Sequence, residues 1–216
     1  MATSAVTAWE AIRLGLEVVE FTGSSAPTRL DITIDGADQV APSGWLVKGG
    51  GGAHTRERAV AAATNRFVAI VSSDKLVDRL SPPIPLELAQ FGLAATLLRL
   101  GPVRVRNAPL SPDGGVIADY LGEFDDPEAL GAWLSAATGV IEHGLFPASM
   151  VAQVLVGRGD HVEPMTPAKV TTHASPPAAR SSDRAYLCPS QTSTEGPRQP
   201  RSASRDRPSG CLISSP

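Results

Sequence analysis

The stretch that decides the fold is Arg66-Phe67-Val68-Ala69-Ile70-Val71. It is a short, almost uninterrupted apolar run, which is typical of a strand buried on both faces of a parallel sheet. The residues before it predict a helix, with Thr55 as its N-cap and Arg56 to Asn65 as its body. Further upstream, Leu30 to Ile34 alternates apolar and polar residues as a strand does. Strands that alternate with helices in this way predict the α/β class.

Four further segments extend the pattern in both directions. Ala5 to Leu14 predicts a short helix, and Leu16 to Phe21 predicts a strand. Trp45 to Val47 is another short apolar segment. Near the other end, Val151 to Val156 predicts a strand that returns to the first sheet. We therefore expect one domain with a parallel sheet, made from residues 1–80 and 147–160.

Residues 81–146 follow a different pattern, which begins at a cluster of prolines. The predicted elements are, in order, strand Ile84–Leu88, helix Phe91–Leu100, strand Pro102–Asn107, strand Val116–Leu121, helix Pro127–Ala137 and strand Val140–Phe146. Asp126 is the expected N-cap of the second helix, and Pro127 occupies its first position. This order of strands and helices is that of a ferredoxin-like α+β domain. We expect residues 81–146 to form such a domain, inserted into the first one.

The composition of the chain changes after Asp160. Residues 1–160 carry 12 basic and 18 acidic side chains, whereas residues 161–216 carry 7 and 4. The second segment also holds 9 of the 19 prolines, and its apolar residues follow no period. Because such a segment buries too little apolar surface to offset its ordering entropy, we expect residues 161–216 to be a disordered tail rich in proline, serine and arginine.

Composition excludes several functional classes. The 216 residues contain no apolar run of 18 or more, which argues against a membrane span. No basic-then-apolar segment opens the chain, so we expect a cytoplasmic location. Cys188 and Cys211 cannot build a disulfide scaffold or a zinc site by themselves. The net charge of −3 argues against a dedicated nucleic-acid binder, and the basic residues of the tail lack interleaved aromatic residues for base stacking.

Two short motifs could carry chemistry. Asp35-Gly36-Ala37-Asp38 places two carboxylates after a predicted parallel strand, and ligands of α/β sheets bind outside the carboxyl ends of strands. The alternative is that Asp-Gly only makes a turn. Lys48 precedes four glycines, Gly49 to Gly52, a composition tolerated where the backbone approaches a ligand closely. It is not a phosphate-binding Walker A loop, because no Gly-Lys-Ser/Thr follows. A flexible surface loop is the alternative.

Other candidates are weaker when each is taken alone. Glu57 lies in the first turn of the predicted helix, where the helix dipole favours a carboxylate and lowers its pKa, so burial would have to oppose the dipole in a general base. Lys75 follows the strand that ends near Val71, and a solvated loop lysine is the alternative. His54 and His143 have no second ligand at a metal spacing, and Glu87 has no evident partner.

Taken together, these motifs resemble the type A ribose-5-phosphate isomerase family. The resemblance rests on Asp35–Asp38, Lys48–Glu57 and Asp74-Lys75, and it continues through Pro83–Glu87 and Gly139–Phe146 to Gly157. It covers about three quarters of the chain, and the Lys48–Glu57 block is its most specific part. The fold that it implies is a Rossmann-like parallel sheet with an inserted ferredoxin-like domain.

The resemblance also implies an activity and roles for individual residues. Enzymes of this family interconvert ribose 5-phosphate and ribulose 5-phosphate through an enediolate, in the non-oxidative pentose phosphate pathway, without a metal or organic cofactor. By analogy Glu57 is the base, and Lys48 offsets charge on the substrate oxygen. Asp35 and Asp38 bind sugar hydroxyls and assist ring opening. The remaining predicted contacts are backbone groups and one further cation, namely Gly36, Ala37, Gly49, Gly50, Gly51 and Lys75. The expected partners are a small sugar phosphate and further copies of this chain, with no nucleic acid and no membrane.

This chain departs from the family pattern in several places. Gln39 replaces the usual Glu, and Ser72 replaces the usual acid. The strand, phosphate-gripping loop and helix with which the family opens would align before Met1, so we expect this polypeptide alone to be weakly active or inactive. The tail has the composition of a GC-rich gene read out of frame, which suggests a frameshift near Asp160. Two alternatives to an active isomerase are a non-catalytic sugar-phosphate sensor and an inactive gene fragment.

Overall fold

The computed structural model describes residues 1–165, and the predictions for the tail beyond Met165 lie outside the described residues. Within the described part, four helices and eleven strands follow one another along the chain. They are α1 Ala5–Arg13, β1 Thr33–Asp35, β2 Gln39–Val40, β3 Leu46–Val47, α2 His54–Ala62, β4 Phe67–Ser72, β5 Ile84–Leu88, α3 Leu93–Leu100, β6 Val103–Val105, β7 Val116–Tyr120, α4 Pro127–Ala136, β8 Val140–His143, β9 Leu145–Phe146, β10 Val151–Arg158 and β11 His161–Met165.

The first sheet has the strand order β1-β4-β10-β11. β4 lies in the middle and pairs in parallel with β1 and with β10, as its apolar sequence predicts. Asp35 on β1 lies opposite Ala69 on β4, so the carboxyl ends of both strands reach the same edge. The expected return of the chain to this sheet through β10 is confirmed.

The second four-stranded sheet is antiparallel and has the order β6-β7-β5-β8. Its strands alternate with α3 and α4 along the chain in the ferredoxin-like order. The cap of α4 is the predicted one, because Asp126 accepts hydrogen bonds from the backbone amides of Glu128 and Ala129. Leu86, Leu88, Ala118 and Leu134 are among the fully buried residues of the core under this sheet. The mixed α/β class is confirmed, whereas the division at residues 80 and 146 stays a prediction.

A small third sheet, β2-β3-β9, corrects one prediction. Val140 to Phe146 is not one strand, because the chain changes sheets at Gly144. The Gly144 amide donates to Pro85 O at 2.7 Å, and its carbonyl accepts from the Lys48 amide at 2.8 Å. A Cβ on Gly144 would overlap the Lys48 carbonyl and Pro85, so only glycine fits between the two sheets. β8 therefore pairs with β5, and β9 pairs with β3.

Three other expectations differ from the structure. Leu16 to Phe21 forms no strand, because it has no neighbouring strand among the described residues to complete its backbone hydrogen bonds. Ala53, and not Thr55, is the N-cap of α2, since the Thr55 hydroxyl donates to the Glu87 carboxylate instead. The expected start of the tail at residue 161 is also wrong, because β11 pairs antiparallel with β10. None of the helices in residues 1–165 combines the length and apolar character needed to cross a membrane.

Candidate active site

The two motifs singled out in the sequence meet in one groove of about 210 Å³. β1 ends at Asp35 and β3 ends just before Lys48, so both strands deliver charged side chains to the same place. The first turn of α2 adds Glu57. The residues that line the groove are Asp35, Gly36, Ala37, Asp38, Lys48, Gly49, Gly50, Gly51 and Glu57. Nine of the ten site residues expected from the sequence are therefore brought together.

Lys48 is the buried centre of this groove. Its side chain is 3% exposed, and its Nζ lies 3.0 Å from Asp35 Oδ2 and 3.2 Å from Glu57 Oε2. The ammonium also donates to the carbonyl of Gly36 and lies 5.6 Å from the centre of the Phe146 ring. Because several partners hold it in place, the ammonium is a fixed positive charge in a setting of low dielectric constant.

Glu57 is a largely buried carboxylate, with its side chain 13% exposed, and its proton affinity is increased. Burial raises its pKa above the ordinary value, the Lys48 ammonium opposes that change, and the charge of Asp35 adds to it. Burial therefore outweighs the effects that lower the pKa of Glu57, and the net change is upward. Glu57 Oε2 is buried against the Lys48 ammonium, and the two groups form an ion pair.

The glycine run forms the wall of the groove beside Asp38. The amide of Gly50 donates to Asp38 Oδ2 at 2.7 Å, and a Cβ at this position would lie 2.6 Å from the other carboxylate oxygen. Gly49 has φ +100°, and its Cβ would lie 2.6 Å from His54 Nδ1. Gly49 therefore requires glycine, and a side chain at position 50 would displace the Asp38 carboxylate, which argues against a merely flexible surface loop.

Lys75 is the one expected site residue that the structure does not bring into the groove. It ends a short 3-10 helix after β4, its side chain is 42% exposed, and its Nζ lies 3.4 Å from Asp74 Oδ2. Ser72, which replaces the family's acid, donates to the same Asp74 carboxylate. Gln39, which replaces the family's usual Glu, is accommodated. Its side-chain amide donates to Ser81 O and accepts from Ser81 N, both at 2.9 Å.

Sequence reasoning left Glu87 without a partner and did not name Arg106, although both groups support the groove. Glu87 is 1% exposed and accepts hydrogen bonds from the hydroxyls of Thr55 and Ser111. Arg106 donates to the carbonyls of Gly49 and Gly50. These partners lie 24 to 57 residues apart in sequence, so no local spacing could have revealed them.

The two buried histidines lie outside the groove lining. Burial lowers the pKa of His54 and of His143 to about 4, so both rings are neutral near neutral pH. His143 contacts the Ser135 hydroxyl at 3.0 Å and accepts from the Leu145 amide, whereas neither ring nitrogen of His54 has a partner among the described residues. Within residues 1–165, no group of three or more His, Cys, Asp or Glu side chains is arranged to hold a metal ion.

Comparison with known proteins identifies a family. The family model described as ribose 5-phosphate isomerase A (phosphoriboisomerase A) matches residues 1–161. Among curated proteins, the chain is 41% identical over 172 residues to a ribose-5-phosphate isomerase A of Rhodopseudomonas palustris strain TIE-1, which covers 72% of this chain and 73% of the relative.

Solved structures agree with this match. The ribose 5-phosphate isomerase A of Neisseria gonorrhoeae superimposes with a TM-score of 0.71 at 29% identity, and the match covers 77% of this chain and 76% of the other. A D-ribose-5-phosphate isomerase in complex with phospho-erythronic acid gives a TM-score of 0.68 at 27% identity, with 75% of each chain covered.

Proposed function

The chain belongs to the ribose 5-phosphate isomerase A family, whose activity is the isomerisation of a sugar phosphate, and on that premise we propose that Glu57 is the base that moves the proton. In this mechanism the open-chain aldose binds with its C2 hydrogen facing Glu57. The carboxylate removes that proton, and the electron pair forms the C1–C2 double bond of an enediolate while negative charge moves to O1. A proton then passes from the O2 hydroxyl to O1, Glu57 returns its own proton to C1, and the carbonyl forms at C2. No redox group is needed, because the oxidation of C2 balances the reduction of C1.

The observation that carries this proposal is the contact between Lys48 and Glu57 in one groove. A base that must be unprotonated at neutral pH, yet basic enough to take a proton from carbon, works best when its pKa is raised toward the working pH. Burial raises the pKa of Glu57 in this direction, and the nearby Lys48 ammonium limits the rise. The same ammonium is a preorganised counter-charge for the enediolate oxygen.

The remaining groups of the groove suit binding and ring opening. Asp35 and Asp38 are acceptors for sugar hydroxyls and can exchange the proton that ring opening moves from O1 to the ring oxygen. Amides of Gly49, Gly50 and Gly51 approach the substrate without a side chain in between. We keep Lys75 as a proposed contact to the substrate, although it does not line the groove in this structure.

The groove lining contains three carboxylates and one ammonium, so it disfavours a phosphate dianion. Because remote binding energy of the phosphate helps to orient the reacting carbons, groups that hold it are needed beyond this lining. We therefore propose that the 216-residue polypeptide, assayed alone, isomerises ribose 5-phosphate weakly, with a raised KM. The expected homo-oligomer and the cytoplasmic location stay predictions.

The test is isomerisation of ribose 5-phosphate by the purified chain and by Glu57→Gln, which keeps the shape of the side chain but removes its basicity. We expect at least about a thousandfold loss of kcat in the variant, the upper part of the range for general-base catalysis. Glu10→Gln, an exposed acid on α1, is the matched control and should keep the parent rate. Near-parental turnover by Glu57→Gln would remove this residue from its role.

A non-catalytic sensor of sugar phosphates is the second candidate. It would bind ribose 5-phosphate without turnover, and it would have no use for a carboxylate beside Lys48. Calorimetric binding of ribose 5-phosphate with no product formed, in the parent and in Glu57→Gln alike, would favour the sensor. An inactive fragment would neither bind nor convert the sugar.

A further inference from the structure

A guanidinium lies behind the glycine wall of the groove. Arg106 Nη1 donates to the carbonyl of Gly49 at 3.0 Å and to the carbonyl of Gly50 at 2.9 Å. The same side chain donates to Asp119 Oδ1 through Nε at 3.1 Å and Nη2 at 2.7 Å. Asp119 is 4% exposed on β7, so the ferredoxin-like sheet holds the guanidinium rigidly.

This arrangement, together with the turn in which the Gly52 amide donates to Gly49 O at 3.0 Å, fixes where the amides of the loop point. The only cis peptide bond found in the described residues is Pro82-Pro83, so the glycine peptides are trans. In a trans peptide the N–H and C=O groups point in opposite directions. Since both carbonyls face Arg106, the amides of Gly50 and Gly51 face away from it. The Gly50 amide does so visibly, because it donates to Asp38 across the groove.

We infer that Arg106, anchored by Asp119, is a positioning residue that holds the glycine loop so that the Gly50 amide orients Asp38 and the Gly51 amide faces the developing oxyanion; this inference rests on the proposed isomerase function. The guanidinium also polarises the two peptide groups, because a donor on a carbonyl oxygen strengthens the hydrogen bond that the same peptide donates. The Gly51 amide then adds to the charge of Lys48 in stabilising the enediolate.

The test compares Arg106→Gln with Arg104→Gln. Arg104 is a matched control, because it lies on β6 two residues before Arg106 and contacts the same carboxylate at 3.4 Å, but its side chain is 64% exposed and makes no hydrogen bond to the glycine loop within residues 1–165. We expect Arg106→Gln to lower kcat/KM about 10- to 100-fold, mostly through kcat, as partial loss of oxyanion donors does. Arg104→Gln should stay within about twofold of the parent.

Hydrogen exchange provides a readout that needs no activity. The amides of residues 49–52 should exchange at least about tenfold faster in Arg106→Gln than in the parent, and at the parental rate in Arg104→Gln. If the parent does not isomerise the sugar, the proposed function fails while the exchange comparison still judges the positioning role. Unchanged exchange in the loop, or equal losses in both variants, would overturn the inference.

A second variant guards against a folding defect. Asp119→Asn keeps the shape of the anchor and removes its charge, so it should shift activity and exchange in the same direction as Arg106→Gln. The double variant should be no worse than the poorer single one, because the two residues act as one unit. Strictly additive losses, or losses that follow the melting temperature alone, would show that Arg106 serves stability only.

Discussion

The ammonium of Lys48 lies 3.2 Å from the carboxylate of Glu57, and both groups are almost fully shielded from solvent. The pair is not a simple salt bridge that locks the carboxylate in its ionised form, because burial still raises the pKa of Glu57. The lysine therefore sets how far the pKa of the base rises, and each change in the surrounding charges should move the acid limb of the pH–rate profile.

Removing the lysine charge should move that limb to higher pH. Lys48→Met takes away the charge that lowers the pKa of Glu57, so more alkaline conditions are needed to ionise the base. We also expect kcat to fall about 100- to 1000-fold, as on loss of one oxyanion-stabilising group. The measurement is kcat/KM against pH. Arg79→Met, an exposed cation elsewhere, should reproduce the parent profile, and an unmoved limb in Lys48→Met would contradict the coupling.

Removing the neighbouring acid should have the opposite effect. Asp35 raises the pKa of Glu57 through its negative charge, so Asp35→Asn should ionise the base more easily and shift the acid limb to lower pH. The rate should also fall, since Asp35 is proposed to bind the substrate. Asp31→Asn, which changes an exposed acid just before β1, is the matched control. A shift in the same direction as that of Lys48→Met would refute the electrostatic account.

The buried histidines predict how stability depends on pH. Both have a folded-state pKa of about 4, below the unfolded value near 6.5. Because the unfolded chain then binds more protons, the free energy of unfolding should fall as the pH drops from about 6.5 to 4, by roughly 3 kcal/mol per histidine. His54→Leu should remove about half of this loss, since it removes one of the two buried rings.

Denaturant titrations between pH 4 and pH 8 measure this difference. His161→Leu, which removes an exposed ring, is the control and should keep the parental slope. An unchanged slope in His54→Leu would show that this ring is not buried in its neutral form.

The change of sheets at Gly144 predicts that the stability of the protein is sensitive to any side chain added at this position. Gly144→Ala places a methyl group against the Lys48 carbonyl and Pro85, so we expect a loss of about 2–4 kcal/mol in the free energy of unfolding, together with slower turnover as Lys48 moves. Gly157→Ala meets only Val71 O at 3.8 Å and should be nearly neutral. Equal melting temperatures for the two variants would contradict the tight fit at Gly144.

Local sequence signals identified the parts of the structure that depend on local chemistry. The apolar run of β4 gave its central place in a parallel sheet, and Asp126 with Pro127 gave the start of α4. The Asp35 and Lys48 motifs predicted most of the residues that line the groove, because strand ends and glycine runs can be recognised in the sequence. By contrast, the apolar pattern of Leu16 to Phe21 suggested a strand that does not form, since a strand also needs a neighbour.

The groups that the sequence could not reveal depend on long-range contacts. Arg106 meets Gly49 across 57 residues, and Glu87 meets Thr55 across 32. Neither pairing has a spacing rule, because two separately predicted units must first fold against each other. The pKa of Glu57 has the same origin, since its helix position predicts a lowered value and only tertiary burial reverses it.

The passage of the chain through Gly144 has a consequence for exchanging parts between relatives. β8 belongs to the ferredoxin-like sheet, but β9, two residues later, pairs with the strand that leads into Lys48. A chimera that imports the inserted domain should therefore be joined at Gly144, so that Leu145 and Phe146 stay with the recipient's own lysine strand. A junction placed after Phe146 would put the donor protein's residue 146 beside the Lys48 ammonium of the recipient. The strand that carries it, β9, would then be mismatched with the recipient's β3.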